Sequence, residues 1–409
     1  MKKFNQFIIE KKNTHMEHVE ELIFNEGVNG TRKAINFLRD LRDMLAGHSK
    51  NSMSRTVKWD GAPAVFVGVD PSDGQFFVAK KGVFNKNPKV YKTPEDVKAD
   101  TSGDLQSKLL VALQEFSKLG VKSGVYQGDL MFTKGDVAKE TIDDESYYTF
   151  QPNTIVYAVP VKSDLGRKIS KASIGVVWHT TYTGSSFESM SASFGKDIVG
   201  KFNDVSSIWQ TDANYRDETG NATFTKAETA KVTELLSKAG SLFNKIPAGL
   251  INAFSENDDL LARTKVFNNS LVRAGKPINP RAHVRGLIDA LHGYYRKEID
   301  SKKTAKSKAT WEEKRKNVMS VFSKYKATDF QNLFELMNTL VQAKNMIINK
   351  MNQAGSIGTF LRTRSGFQVT APEGFVAIDH LTNDAVKIVD RLEFSRANFS
   401  ADVIKGWEK

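Results

Sequence analysis

No cysteine occurs among the 409 residues, which excludes disulfides, thiolate nucleophiles and any zinc or iron–sulfur site that needs a Cys ligand. That absence also fits a reducing compartment. Histidine is scarce, at seven residues, so soft metal ligands are few. No apolar run approaches the roughly 18 residues of a membrane span. The N-terminus, Met1 to Glu10, begins with lysines but lacks the long apolar stretch of a secretion signal. Abundant charge takes the place of these features. Lys and Arg number 59 against 47 Asp and Glu, a net charge of +12, and the pI is about 9.4. This balance favours a polyanionic partner, with a generically basic surface as the alternative. Hydrophobic residues make up 40% of the chain, enough to bury a core and exclude wholesale disorder. The length suits two domains, or one domain with a large insertion.

Periodicity divides the chain. Thr14-His15-Met16-Glu17 has capping-box spacing and precedes apolar Val19, Leu22 and Ile23, which predicts a helix from about residue 14. Ile35, Leu38, Leu41 and Leu45 form a second helical stripe between Gly30 and Gly47, so residues 13–50 read as a helical hairpin. From about residue 54 the pattern turns β-like. Runs at Thr56–Lys58, Ala64–Val67 and Phe76–Ala79, separated by Asp-Gly turns, predict a meander. A helix is expected at about 104–119, and strands at about 124–132, 153–161 and 172–182, while 184–225 carries no assignable pattern. Residues 226–355 read as a helical insertion, with Phe330, Phe334, Met337 and Val341 on one buried face. Strands return at about 366–370, 373–379 and 385–390. The expected architecture is α+β: a β-rich core in two parts, 51–225 and 356–409, flanking helices, after a leader at 1–12. Inside the helical block lies a basic cluster that includes Lys302, Lys303, Lys306, Lys308, Lys314 and Arg315. It is read either as a solvated face or as a surface that tracks phosphates.

Lys58-Trp59-Asp60-Gly61 falls between two β runs, which places a lysine at a strand end and a glycine in a tight turn. A lysine becomes a nucleophile when burial or neighbouring cations let it lose its proton. Alone, the pattern is better described as a hairpin turn with an exposed lysine. The order of the motifs downstream is more specific. Lys58–Gly61 resembles motif I of the covalent nucleotidyltransferases, the superfamily of ATP-dependent DNA ligases, RNA ligases and mRNA capping enzymes. Ala79-Lys80-Lys81-Gly82 sits where that family has Ser-Arg-x-Gly. Gln127-Gly128-Asp129-Leu130 is similar to its Asp-Gly-Glu-Leu, and Thr154–Val159 or Ile174–Val177 to motif IIIa. Glu373-Gly374-Phe375-Val376 resembles motif IV, and Val386 to Arg391 motif V. The resemblance covers residues 54–183 and 364–395.

It implies an antiparallel nucleotidyltransferase core and a two-step reaction, in which Lys58 takes AMP from ATP and passes it to a polynucleotide 5′-phosphate for sealing. The implied nucleotide site comprises Thr56, Val57, Lys58, Asp60, Gly61, Lys80, Asp129, Glu373, Lys387 and Arg391. Asp129 and Glu373 would hold Mg²⁺, or Mn²⁺ in its place. Strand alternation puts Lys387, Val389 and Arg391 on one face. Several positions depart from the family. Pro63 replaces the usual arginine, Lys80 an arginine, Asp129 a glutamate and Val389 a lysine, while Thr56 stands where an acidic residue often reads adenine. The chain ends soon after motif V, leaving no room for an appended OB-fold, so the helical block becomes the candidate grip on RNA or DNA, with RNA preferred. Two further readings stay open: nucleotidyl transfer to a protein or small molecule, and a non-catalytic nucleic-acid-binding protein on a decayed ligase scaffold. The leader is similar to capsid-targeting peptides of internal head proteins of tailed bacteriophages. Under that resemblance the protein acts in the host cytoplasm, or is packaged in the virion and cleaved after Glu10; a plain amphipathic segment is the alternative. His179, in an expected strand, and His380, just after Glu373, could approach the site, and neither is assigned a role.

Overall fold

Apolar residues at three- and four-residue spacing from Val19 to Leu45 fold as a helical turn followed by helices α1 (Leu22–Asn25) and α2 (Gly27–Leu45). The computed structural model describes residues 17–47, 53–194, 197–214, 223–354, 357–364, 366–370, 374–379, 384–400 and 402–408. The leader, Glu10, Thr14, Glu373 and His380 lie outside the described residues. Gly30, expected between two helices, lies inside α2, where a Cβ would run into the Leu22 carbonyl. Its bareness lets α2 close on the preceding turn.

The central region forms strands β1 (Met53–Lys58), β2 (Ala64–Val69) and β3 (Phe76–Ala79), then helices α3 (Pro94–Asp100) and α4 (Gly103–Phe116). Strands β4 (Val125–Thr133), β5 (Ala138–Ile142), β6 (Glu145–Phe150) and β7 (Ile155–Pro160) come next, then helix α5 (Asp164–Lys171). Beyond it lie β8 (Ile174–Thr183), β9 (Ser191–Phe194) and β10 (Ile208–Asp212). The helical block holds α6 (Lys226–Lys245), α7 (Ala248–Ser255), α8 (Asp258–Arg273), α9 (Pro280–Ser301), α10 (Ala305–Lys324) and α11 (Ala327–Met351). The chain then returns to strands β11 (Gly358–Thr363), β12 (Gly366–Val369), β13 (Gly374–Asp379) and β14 (Asp384–Ile388), and to helix α12 (Arg391–Phe399).

The described residues form three sheets, in the orders β1-β13-β14, β10-β8-β4-β2-β3 with β9 on β8, and β12-β11-β7-β6-β5. All pairings are antiparallel except β10 with β8. The protein is therefore α+β, as the sequence predicts, but the meander is not formed. The β2–β3 hairpin is present, whereas β1 pairs with β13, more than 300 residues away. Ala213 joins two of the sheets. Its N–H donates to the Trp178 carbonyl at 2.8 Å, and its own carbonyl accepts from Val57 N–H at 2.6 Å.

The N-terminal helices do not stand apart from the helical block. Phe24, Leu38, Leu236, Phe254, Leu287 and Phe334 share one apolar core with Phe375, Val386 and Ile388, so the β1-β13-β14 sheet lays one face on the helices. Phe330, Phe334 and Met337 are buried in it as the spacing predicts, whereas Val341 is only partly buried. A second core lies between α4 and one side of the β10-to-β3 sheet, and a third, around Phe132, Phe150 and Trp209, fills the space on its other side.

Candidate functional site

β1 ends at Lys58, opposite Gly374 of β13, and the chain turns away through Trp59 to Pro63. The Trp59 ring packs against Tyr157 and Trp209, with centroids 5.1 and 6.3 Å away, which carries the next residue inward. Asp60 is 4% exposed. Its Oδ1 accepts from Asn153 Nδ2 at 2.6 Å, and its Oδ2 from the N–H groups of Thr154 and Ile155 at 2.7 and 2.8 Å. The Asp60 N–H in turn donates to the Tyr157 hydroxyl at 2.7 Å. Burial pushes the carboxyl above its ordinary range; the backbone donors, the Asn153 amide and the charge of Lys58 pull the other way.

Gly61 then crosses β4. A Cβ on it would stand 2.5 Å from the Asp129 Cβ and 3.1 Å from the Leu130 carbonyl, so only glycine permits this approach. Ala62 N–H donates to the Leu130 carbonyl and Leu130 N–H to the Pro63 carbonyl, both at 3.0 Å, and these bonds fasten the turn to β4. The sequence places Lys58 and Asp129 about seventy residues apart; the fold sets the lysine's turn directly on the aspartate.

Asp129 faces a residue without a sequence-assigned role. Across β4 and β8, Gln127 pairs with Thr180 and Gly128 with Trp178, so His179 is the extra residue of a β-bulge. A bulge re-aims its side chain. Here it brings His179 Nε2 to 3.8 Å from Asp129 Oδ1, each side chain about 24% exposed. His179 Nδ1 lies 2.7 Å from Thr180 Oγ1. His179 is next to Trp178, which Ala213 ties to Val57, so the histidine and Lys58 are brought to the same seam between sheets.

A second lysine enters from the C-terminal segment. Lys405 is 8% exposed and donates to Thr154 Oγ1 at 3.4 Å. Desolvation lowers its affinity for a proton, while Asp60 and Glu408 raise it. The segment is pinned by Gln151 Nε2 donating to the Ile404 carbonyl and Gly406 N–H donating to the Asn153 carbonyl, both at 2.7 Å. Asn153 and Lys405 are not legible as site residues in the sequence, and Thr154 is marked there only as the first residue of one motif IIIa candidate. Their link to Asp60 is tertiary, because each acts through backbone or side chains that only meet Asp60 after folding.

The remaining expected site residues divide. Thr56, Val376 and Lys387 are register neighbours, and Lys58 lies two residues after Thr56, so Lys387 and Lys58 share one sheet face. That is the face opposite Phe375 and Ile388, hence away from the helical core. Val57 is directed the other way and packs on the helices. Lys80, next after Ala79, takes the side of the sheet away from Asp129. It pairs with Asp100 at 3.2 Å and lies 5.7 Å from the Tyr91 ring centroid. Arg391 also leaves the group: β14 stops at Ile388, the alternation stops with it, and Arg391 opens α12. There it pairs with Glu21 at 2.8 Å and hydrogen-bonds Asn269.

The basic cluster occupies the α9–α10 junction. Lys302 pairs with Glu298 at 2.8 Å and Lys314 with Asp259 at 3.7 Å, and their ammonium groups lie 4.7 and 5.0 Å from the Trp311 ring centroid. Lys303, Lys306, Lys308 and Arg315 are exposed, and α10 fully buries only Val318. Among the described residues no three His, Asp or Glu side chains converge as a ready metal cage, and no helix is long and apolar enough to cross a membrane.

Fold and site together define an α+β protein with a strand-end lysine turn seated on an Asp–His pair. Residues 13–403 match a family of unknown function, DUF6267, and the chain belongs to that family. No curated protein and no solved structure matches it.

Proposed function

We propose that this protein is an ATP- and divalent-cation-dependent polynucleotide ligase, with RNA ends preferred over DNA ends, and that Lys58 is its covalent nucleophile. The observation that carries this reading is the Lys58–Gly61 turn, which is fastened over Asp129 while β1 pairs with β13 and β13 with β14. These elements hold the motif I, III, IV and V resemblances, and they are far apart in the chain. In the first step the Lys58 Nζ lone pair forms a bond to the α-phosphorus of ATP, the bond to pyrophosphate breaks, and the amine loses a proton to solvent. AMP then passes to a 5′-phosphate, and a 3′-hydroxyl attacks that phosphate, forms the phosphodiester and releases AMP. Phosphoryl transfer of this kind depends on positioning and on neutralising the triphosphate.

The chain's own residues suit those tasks. Asp60, locked beneath the turn by three donors, orients the segment that carries Lys58. Lys387, on the same sheet face, offers a cation to the phosphates. Asp129 offers an oxygen ligand to a divalent ion, as Glu373 would from outside the described residues. Lys80 and Arg391 are engaged with Asp100 and Glu21 and are not assigned phosphate contacts. The exposed basic face of α10 would track the polynucleotide backbone without reading sequence. The leader reading places such an enzyme in a phage-infected cytoplasm or in the virion, with cleavage after Glu10.

Incubation with α-labelled ATP and Mg²⁺ or Mn²⁺ tests the proposal. The expected result is a labelled protein band that Lys58→Ala abolishes; no label under either ion overturns it. A sealing assay on nicked and single-stranded substrates then decides the acceptor, because transfer to a protein or small molecule would label Lys58 yet join nothing. The pairing of Lys80 and Arg391 with carboxylates favours one rival reading, a non-catalytic nucleic-acid-binding protein on this scaffold, which predicts salt-dependent binding and no label.

A further inference from the structure

We propose that Asp129 and His179 together form a binding site for one divalent first-row transition ion, of which Mn²⁺ is the representative, in preference to Mg²⁺. The inference rests on the reading of Asp129 as part of the nucleotide site, but it concerns the protein's own affinity for the ion and is tested without nucleotide.

Three observations converge. The first is separation: 3.8 Å between Nε2 and Oδ1 is too long for a hydrogen bond. Two donors each about 2.1 Å from one ion stand about 3.0–3.4 Å apart, so the pair needs to close by about half an ångström to share a cation. The second is orientation. The Nδ1 contact with Thr180 Oγ1 at 2.7 Å is the outer hydrogen bond that fixes a ligating imidazole; in the tautomer that donates from Nδ1, the Nε2 lone pair faces a carboxylate oxygen. Two electron-rich atoms aimed at one another are reconciled by a cation. The third is backbone design. His179 is the unpaired residue of a bulge in a strand whose other residues before Thr183 are all buried, so the local distortion serves to bring this one side chain to Asp129.

Ligand chemistry selects the ion. Mg²⁺ favours an all-oxygen octahedron, and one imidazole nitrogen in a two-residue site shifts preference toward transition ions. The remaining coordination positions are left to water and, in the working protein, to phosphate oxygens. Gly61 keeps the Lys58 turn against the same aspartate, so the ion would sit beside the nucleophile's segment.

Mn²⁺ titration of the full-length protein, monitored by electron paramagnetic resonance of the free ion, is the test. Wild type is expected to hold one Mn²⁺ that an equal concentration of Mg²⁺ does not displace. His179→Ala and Asp129→Ala are each expected to weaken it at least tenfold, and Thr180→Val less than either. Imidazole ¹⁵N NMR of the wild type guards against misfolded variants, because sub-stoichiometric Mn²⁺ should broaden the His179 signal before those of the other histidines. Equal Mn²⁺ affinity in His179→Ala, no bound Mn²⁺ in wild type, or broadening confined to other histidines would overturn the proposal. Adenylylation is scored separately: Mn²⁺ binding without any Lys58 label removes the ligase reading and leaves the metal site standing, and label without Mn²⁺ binding does the reverse.

Discussion

Asp60 and Glu20 are both buried carboxylates, and their surroundings differ in kind. Asp60, under the lysine turn, is satisfied by an Asn amide and two backbone N–H groups, all neutral. Glu20, where α1 and α2 meet α11 and α12, faces Lys344 at 2.9 Å, each side chain 1% exposed, and Arg391 at 3.9 Å. Burial raises both carboxyls. At Glu20 the charges of Lys344, His18 and Arg391 reverse the effect and hold the group at about 2, whereas at Asp60 the raising wins. The contrast separates a structural joint from a candidate reaction site. Full ion pairs clamp the helices to α12, while neutral donors fix the Asp60 carboxylate and leave its charge to act on Lys58 and Lys405.

The joint is where substitution should cost most. Lys344→Met removes one partner of a desolvated pair and is expected to lower unfolding free energy by about 3–5 kcal/mol, whereas Lys344→Met with Glu20→Leu should recover much of that. Urea denaturation of both variants checks this, and a cost under about 1 kcal/mol for the single change would dissolve the comparison. Glu21 gives the joint a pH signature. Burial, opposed by Arg391 and reinforced by Glu20 and Glu17, raises its carboxyl to about 7. Its folded form therefore holds a proton that the unfolded form releases near 4.5, so its contribution falls as pH rises from 4.5 to 7. Glu21→Gln should gain on wild type across that window by about 3 kcal/mol, read from thermal or urea midpoints. A constant difference would show that Glu21 is ionised throughout.

On the other side of the comparison, Gly61→Ala should cost about 1–3 kcal/mol, because its methyl meets Asp129 and the Leu130 carbonyl. The same change should reduce labelling of Lys58, a coupling that the joint variants should not show. Smallest in stability terms are the exposed cations of α10 and its approach. Lys303→Ala, Lys306→Ala, Lys308→Ala and Arg315→Ala should each stay within about 0.5 kcal/mol of wild type. Together they should flatten the salt dependence of polynucleotide binding by about one unit of slope for each phosphate no longer neutralised. An unchanged slope would remove α10 from the interface.

Local pattern makes much of this fold legible. Val19 to Leu45 and Phe330 to Met337 announce helices through their spacing, because a helix face repeats within a few residues. Short β runs around Ala64, Phe76 and Val125 announce strands for the same local reason. The 184–225 stretch hides β9 and β10, whose short runs carry little period. The Asp143–Asp144 turn, both residues at positive φ, closes the β5–β6 hairpin without a glycine to mark it. Arg391 escapes its expected face because alternation holds only as far as β14, and the chain becomes helical three residues beyond Ile388.

The sequence by itself determined where the long periodic helices and the principal strands form, where the chain must be bare of side chains at Gly61, and that a lysine stands at a strand end beside an aspartate. Tertiary structure alone decided that β1 takes β13 as its partner, that the N-terminal helices join the helical block, that His179 is bulged toward Asp129, and that Lys405 arrives beside Asp60. The physical reason is range. Periodicity and turn chemistry act over a few bonds, but the pairing of one strand with another and the meeting of buried charges depend on chain closure across hundreds of residues, where no local pattern records the partner.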